Sequence, residues 1–176
     1  TRLNDILTEF LDFARPKSPR TALCRIEDIL ERNLAVMEGQ LQRASIRVER
    51  FYEAGDTMVE ADADLLYRAF VNLLANAVQA MPKGGILTVR TLLRKAGNEP
   101  DRFELRIRDS GPGIPEAVQR KIFNPFFTTR EKGTGLGLAI VRSIIDSHGG
   151  EIEVRSRQGQ GTVMIVRLPL THARDE

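Results

Sequence analysis

Asn72 and Asn76 stand four residues apart in the otherwise apolar stretch VNLLANAVQAM (71–81). Residues at that spacing are neighbours on one helix face. A buried side-chain amide has to be satisfied. Its oxygen is a hard, neutral ligand suited to Mg²⁺, an ion that needs few protein groups when substrate phosphates complete its shell. Two structural asparagines bonding nearby backbone are the plainer alternative. Asp109 follows the alternating run RFELRIR and opens DSGPGIP. An ionised carboxylate only accepts hydrogen bonds, so it can read an exocyclic amine such as that of adenine. Gly111 and Gly113 would let the backbone come close to a flat ring, with Ile114 on one side of the slot. An ordinary turn is the competing reading, because Asp-Ser-Gly-Pro is rich in turn formers. In GTGLGLAI (133–140) a glycine-rich loop runs into a helix, where free amides and the helix dipole make an anion site. No Gly-Lys-Ser/Thr follows, and the spacing does not match a dinucleotide fingerprint. Arg130 and Lys132 lie just before it and are either phosphate contacts or part of a solvated charged loop. Gly161-Thr162 opens the last alternating run, where the glycine permits close approach and the hydroxyl can reach a base directly or through water; a hairpin glycine before a β-branched residue explains the same pair. In this order and spacing, the four segments describe a pocket for a purine nucleotide and its metal.

The elements that must carry these groups follow from periodicity. Leu3, Leu7, Phe10 and Ala14 recur at helical spacing, and Ile6, Leu11 and Phe13 widen the stripe, so residues 1–15 are expected to be a helix that seeks a partner. The helix begins inside its own pattern, which is expected of the end of a longer one. RPKSPR (15–20) stops it. A helix is expected over 25–43, a strand over 45–51, a short strand over 57–60, and a helix from an Asp62 cap to about Met81. Strands 85–93 and 102–108 are joined by the loop KAGNEPD. Pro115 starts a short helix to about Ile122, Leu136–Ser147 is helical up to His148-Gly149-Gly150, and EIEVRS with TVMIVRLPL forms a hairpin across RQGQG. Phe123, Phe126 and Phe127 anchor the intervening loop to the core or gate it. Helices and antiparallel strands mix without strand–helix alternation, which predicts an α+β two-layer sandwich.

Composition narrows the function classes. The 176 residues suit one packed domain with a short appendage, and 26 basic against 24 acidic residues leave a net charge of +2. That is too small to argue for nucleic acid or a membrane surface as the main partner. Cys24 is the single cysteine, so neither an internal disulfide nor a cysteine metal cluster is available, and a cytoplasmic setting fits. No apolar run reaches the length of a membrane span and no signal peptide is visible; the parent of such a domain can still be membrane-anchored.

With these motifs in hand, the chain resembles the catalytic ATP-binding domain of bacterial sensor histidine kinases, within the gyrase–chaperone–kinase–MutL ATPase superfamily. Residues 71–81 are similar to its asparagine box, DSGPG to its first glycine box, IFNPFF to its phenylalanine box, GTGLG to its second and QGTV to its final glycine segment. LNDILTEFLDFARP resembles the end of the second helix of the dimerisation and phosphoacceptor hairpin. The short lid and Asn-Ala-Val-Gln-Ala-Met resemble the nitrogen-regulation branch.

The resemblance implies a Bergerat-type fold, a mixed and mostly antiparallel sheet against three helices. It divides the chain into a hairpin remnant and linker (1–18), a catalytic domain (19–172) and a tail (173–176). It implies ATP and Mg²⁺ as cofactors. Asn76 would hold the metal and act in catalysis, with Asn72 on the same wall. Asp109 would bond the adenine amine, helped by Gly111, Gly113, Ile114 and Thr162. Gly133, Thr134, Gly135, Leu136, Gly137 and Leu138 would cradle the phosphates, and residues 124–134, with Arg130 and Lys132, would form the lid. Many relatives carry a basic residue three positions after the metal asparagine; here Gln79 stands there, so Arg130 or Lys132 takes over that contact. Neither His148 nor His172 has the Glu or Asp that follows a phosphoacceptor histidine. The acceptor is therefore expected upstream of Thr1, and this stretch alone should bind ATP without phosphorylating itself. The implied partners are the phosphoacceptor hairpin, a response-regulator receiver domain and a second copy of the parent in a homodimer, with no nucleic acid. An ATPase clamp or a nucleotide-sensing module are the competing classes. The clamp relatives carry a water-activating Glu on the asparagine helix, and RAFVNLLANA has no acid.

Overall fold

The computed structural model describes residues 2–14, 18–131 and 133–170. The chain runs α1 (Arg2–Ala14), β1 (Ala22–Cys24), α2 (Ile26–Arg43), β2 (Ile46–Tyr52), β3 (Val59–Ala61), α3 (Ala63–Gln79), β4 (Gly85–Ala96), β5 (Glu99–Asp109), α4 (Glu116–Gln119), α5 (Gly137–Ser147), β6 (Glu151–Ser156) and β7 (Thr162–Pro169). Five strands form one sheet in the order β2-β4-β5-β7-β6. Only β2 and β4 are parallel, and their connection passes through α3, as a parallel pair requires a crossover. The other neighbours are antiparallel. This is the mixed, mostly antiparallel sheet against helices α2, α3 and α5 that the sequence leads one to expect.

The strand alternation decides which face is buried. Leu87, Val89, Phe103, Leu105, Ile107, Met164, Val166 and Leu168 point inward. They meet Ile26, Leu30 and Leu34 of α2, Leu66, Phe70, Leu73 and Leu74 of α3, and Ile140, Val141, Ile144 and Ile145 of α5. The outer face is charged. There Glu104 has no exposed surface and is covered by Arg94, Arg106 and Arg167 at 3.4, 2.6 and 2.9 Å. Burial alone would raise its pKa, but the hydrogen bonds from Arg167 and Arg106 win and hold it below the usual glutamate value.

Several boundaries differ from the sequence-based expectation. β1 and β3 form a separate two-stranded sheet; a three-residue strand is too short to show a period. β4 and β5 run on past Leu93 and start before Arg102, leaving only Gly97-Asn98 between them. The charged residues there continue the ladder with a register shift between Arg94 and Ala96, and backbone pairing does not require apolar side chains. The helix after Pro115 is a single turn, Glu116–Gln119, followed by turns. Along α1 no residue is buried, and Leu3, Ile6, Leu7, Phe10 and Leu11 are exposed.

Candidate functional site

The sheet register builds one end of the site. Asp109 closes β5 and Thr162 opens β7, and the two are direct cross-strand partners. Paired residues share a sheet face, here the inner one, and both side chains are buried. Burial pushes the Asp109 carboxyl upward, while amide N–H groups of Gly111 and Thr162 pull against it; the Gly111 N–H donates to Oδ1 at 2.9 Å. Gly161 has φ +80°, and a Cβ there would collide with the Asp109 carbonyl oxygen, so only glycine lets β7 begin this close to the end of β5. The following loop is tied to β6: the Ile114 N–H donates to Ser156 Oγ at 2.8 Å, and the Gln119 amide donates to Ile114 O and Ser156 O.

α3 builds the other end. Asp62 caps it, accepting from Leu65 N–H at 3.1 Å, and His148 Nε2 accepts from Asp62 N–H at 2.9 Å. That helix brings Asn72 and Asn76 to the cavity wall. Asn72 Nδ2 points at Gly137 O, 3.5 Å away, at the start of α5. Arg130 donates to Gln79 Oε1 and reaches Asn76 Oδ1 at 3.5 Å. Its partners are neutral amide oxygens, and no carboxylate among the described residues pairs with it, which leaves the cation available to an anion in the cavity. Desolvation lowers its pKa. The N-cap of α5, Leu136, makes no side-chain capping bond, and Gly137 and Leu138 of the first turn line the cavity, a helix start of the kind that suits an anion. Gly135, at φ +71°, packs directly on the Phe126 backbone and accepts the Phe126 N–H at 2.9 Å. This fastens the loop to the phenylalanine segment.

The two ends face one cavity of about 620 Å³, lined by Asn72, Asn76, Asp109, Gly113, Ile114, Arg130, Gly133, Thr134, Gly135, Gly137, Leu138 and Thr162 of the sequence-derived set. A volume of this order suits a nucleotide-sized ligand. Two of the set stand behind the wall. Gly111 is engaged with the Asp109 carboxylate. Leu136 is fully buried, and its N–H donates to Thr134 Oγ1 at 3.3 Å. Lys132 and His172 lie outside the described residues. Sequence reasoning missed Glu9 of α1, which lines the cavity and accepts from Thr134 Oγ1 at 2.5 Å. It pairs across 125 positions and lies off the apolar stripe, so no local signal marks it.

Among the described residues no group of three or more His, Cys, Asp or Glu gathers to hold a metal ion, and no helix is long and apolar enough to cross a membrane. The donor set does fit Mg²⁺. The ion is usually held by one or two protein oxygens plus substrate phosphates, and Asn76 Oδ1 lies in the wall near Arg130 and the α5 start.

Known proteins are similar to this chain in sequence and fold. The family model described as histidine kinase-, DNA gyrase B-, and HSP90-like ATPase matches residues 61–172. Sporulation kinase C of Bacillus subtilis (strain 168) is 32% identical over 170 residues, covering 96% of this chain and 39% of that protein. The chain thus spans about two-fifths of this curated relative. Full-length ShkA in complex with AMPPNP superposes with a TM-score of 0.82 at 26% identity, over 97% of this chain and 36% of that one. Histidine kinase ThkA in complex with response regulator protein TrrA superposes with a TM-score of 0.77 at 29% identity, over 97% and 48%.

Proposed function

We propose, from the premise that this chain belongs to the histidine kinase-, DNA gyrase B- and HSP90-like ATPase family, that it is the ATP-binding catalytic part of a sensor histidine kinase. In this reading it holds Mg-ATP and presents the γ-phosphoryl group to a histidine on a dimerisation hairpin. The observation that carries the reading is the shared cavity: Asp109 and Thr162 at one end, Asn76, Arg130 and the start of α5, which no side chain caps, at the other. The first end offers acceptors for an adenine amine, and the second offers the Arg130 cation and backbone N–H donors for phosphates.

Phosphoryl transfer is mainly positioning and charge stabilisation. Asp109 fixes the base and takes no part in bond breaking. The loop Gly133–Gly137 and the start of α5 hold phosphate oxygens through backbone N–H groups, and Arg130 turns from Gln79 to the triphosphate. Asn76 Oδ1, with Asn72 beside it, would hold Mg²⁺. When bound, that ion neutralises charge on the phosphate oxygens. The lid (124–134), flanked by Phe123 and held by Phe127 against the core, excludes water.

The division after residue 18 follows from the same reading. α1 supplies the end of the hairpin, its exposed Leu3, Leu7 and Leu11 packing against the helix that carries the acceptor. The parent is a homodimer, a response-regulator receiver domain takes the phosphoryl group from the histidine, and the domain works in the cytoplasm, where ATP is supplied. The AMPPNP and response-regulator complexes of ShkA and ThkA support the choice of nucleotide and partner class. A hydrolytic clamp is disfavoured because residues 68–77 contain no acid to activate water.

The test is transfer of γ-labelled phosphate from Mg-ATP to a separately supplied acceptor hairpin. Label on the hairpin, lost with Asn76→Asp, is the expected result. Release of free phosphate with none on the hairpin would favour a clamp, and binding without either reaction a sensing module.

A further inference from the structure

We propose that Ser156 is a positioning residue for base selection. By fixing which way the Thr162 hydroxyl donates, it makes the base end of the cavity accept hydrogen bonds only, and so favours a 6-aminopurine over a 6-oxopurine nucleotide. The inference rests on the adenylate reading above and deepens it.

The donors and acceptors around Ser156 can be counted. Ser156 Oγ has three neighbours at bonding distance: Ile114 N at 2.8 Å, Gly161 O at 2.9 Å and Thr162 Oγ1 at 2.8 Å. A serine hydroxyl has one proton and two lone pairs. Ile114 N–H can only donate and Gly161 O can only accept. All three bonds are satisfied in one arrangement: Ser156 donates to Gly161 O, and Thr162 donates to Ser156. The Thr162 proton is then used away from the cavity. Thr162 lines the cavity while Ser156 does not, so what Thr162 turns toward a base is its lone pairs. Its cross-strand partner Asp109 is a carboxylate and also accepts only. Two acceptors side by side match the two N–H donors of an exocyclic amine. They repel the O6 of a 6-oxopurine, because two acceptors facing each other cannot bond and both lose water.

Removing the Ser156 hydroxyl would free Thr162 to rotate and donate. A 6-oxopurine could then offer its N1–H to Asp109 and its O6 to Thr162. The experiment is a calorimetric titration of the chain with ATP and with inosine triphosphate in excess Mg²⁺. Ser156→Ala is expected to weaken ATP while inosine triphosphate holds or gains, so that the affinity ratio falls about tenfold. Ser156→Thr, which keeps a hydroxyl, is expected to keep the ratio. Gln119→Ala loosens the same loop through Ile114 O and Ser156 O without touching Thr162, so it should weaken both nucleotides by one factor. Adding Thr162→Val to Ser156→Ala should abolish the gain of the 6-oxo nucleotide. For the unmodified chain the expected order is ATP first, the 6-unsubstituted purine riboside triphosphate second and inosine triphosphate last. Equal weakening of ATP and inosine triphosphate by Ser156→Ala, no change in either, or a 6-oxo nucleotide binding better than the 6-unsubstituted one would each overturn the proposal. An unmodified chain that binds no ATP would overturn the adenylate reading itself, whereas ATP binding that depends on Asp109 with an unmoved ratio would sink only the role of Ser156.

Discussion

At the scale of single residues, Asp109 combines two demands. In the proposed reading it must be ionised to accept from a base amine, yet burial pushes its pKa above the ordinary aspartate value of 3.8. Binding and folding therefore respond to pH in opposite ways. ATP affinity should fall as acid protonates the carboxylate, starting at a higher pH than an unperturbed aspartate would give. The stability contributed by the raised pKa is present at low pH and is lost as pH rises through the folded-state value. Titrating ATP affinity against pH checks the first effect. Asp109→Asn should flatten that profile while weakening ATP by about ten- to a hundredfold, since a charge-assisted bond is lost. Glu9 sets an opposite test. Its carboxylate accepts from the Thr134 hydroxyl inside the cavity proposed to receive the triphosphate, so Glu9→Gln should tighten Mg-ATP by about two- to fivefold through relief of like-charge repulsion. Unchanged or weaker binding would show that Glu9 supports the loop more than it opposes the ligand.

At the scale of elements, the site depends on how α3 and α5 are locked together. The Asp62 carboxylate caps α3 and also accepts from Arg20 N–H at 2.8 Å. His148, at the end of α5, accepts from Asp62 N–H, and its Nδ1 lies 2.7 Å from Ile144 O, so the proton sits on Nδ1. His148→Ala should destabilise the fold by about 1–2 kcal/mol, because a part-buried N–H loses its acceptor. Asp62→Ala should cost about 1 kcal/mol for the cap. Since the two share a bond, the double variant should cost less than the sum; thermal melts of the three proteins measure it. The site segments were legible in the sequence because each has a local reason for its composition: a turn at DSGPG, a loop entering a helix at GTGLG, paired amides on one helix face. Glu9, Ser156 and Gln119 were not legible. The contacts that tie them into the site across elements lie 125, 42 and 37 positions away, and the nearer bonds of Ser156 and Gln119, five and six positions off, depend on the folded β6–β7 turn and the loop after β5, which polar residue types alone do not announce. The β1–β3 pair and the long β4–β5 ladder escaped for a related reason, since backbone pairing there is fixed by the partner strand.

At the scale of the whole molecule, charge is distributed so that acid should unfold it. Glu104 and Glu153 on the outer sheet face, Glu31 beside Arg50 and Tyr52, and Asp62 all have lowered pKa values, because hydrogen bonds from arginines, a tyrosine hydroxyl or backbone N–H groups outweigh burial. A lowered folded-state pKa contributes stability that is present above the ordinary values of 4.5 and 3.8 and disappears as pH falls through the folded-state value. Among the described carboxylates with a shifted pKa, Asp109 works in the other direction. The urea midpoint should therefore drop on going from pH ~7 to pH ~3, and Glu104→Gln should reduce that drop. α1 adds a second feature of the whole. It touches the domain through the Asp12–Arg68 pair, the Glu9–Thr134 bond and the stacked Phe10 and Phe126 rings, so its position and the state of the cavity are linked.

The most direct test is calorimetry of the chain with ATP in the presence and absence of Mg²⁺. The cavity described here predicts saturable one-to-one binding that strengthens with Mg²⁺, is lost or much weakened in Asp109→Asn, and loses its Mg²⁺ dependence in Asn76→Ala. No saturable heat, or binding indifferent to both substitutions, would contradict the account.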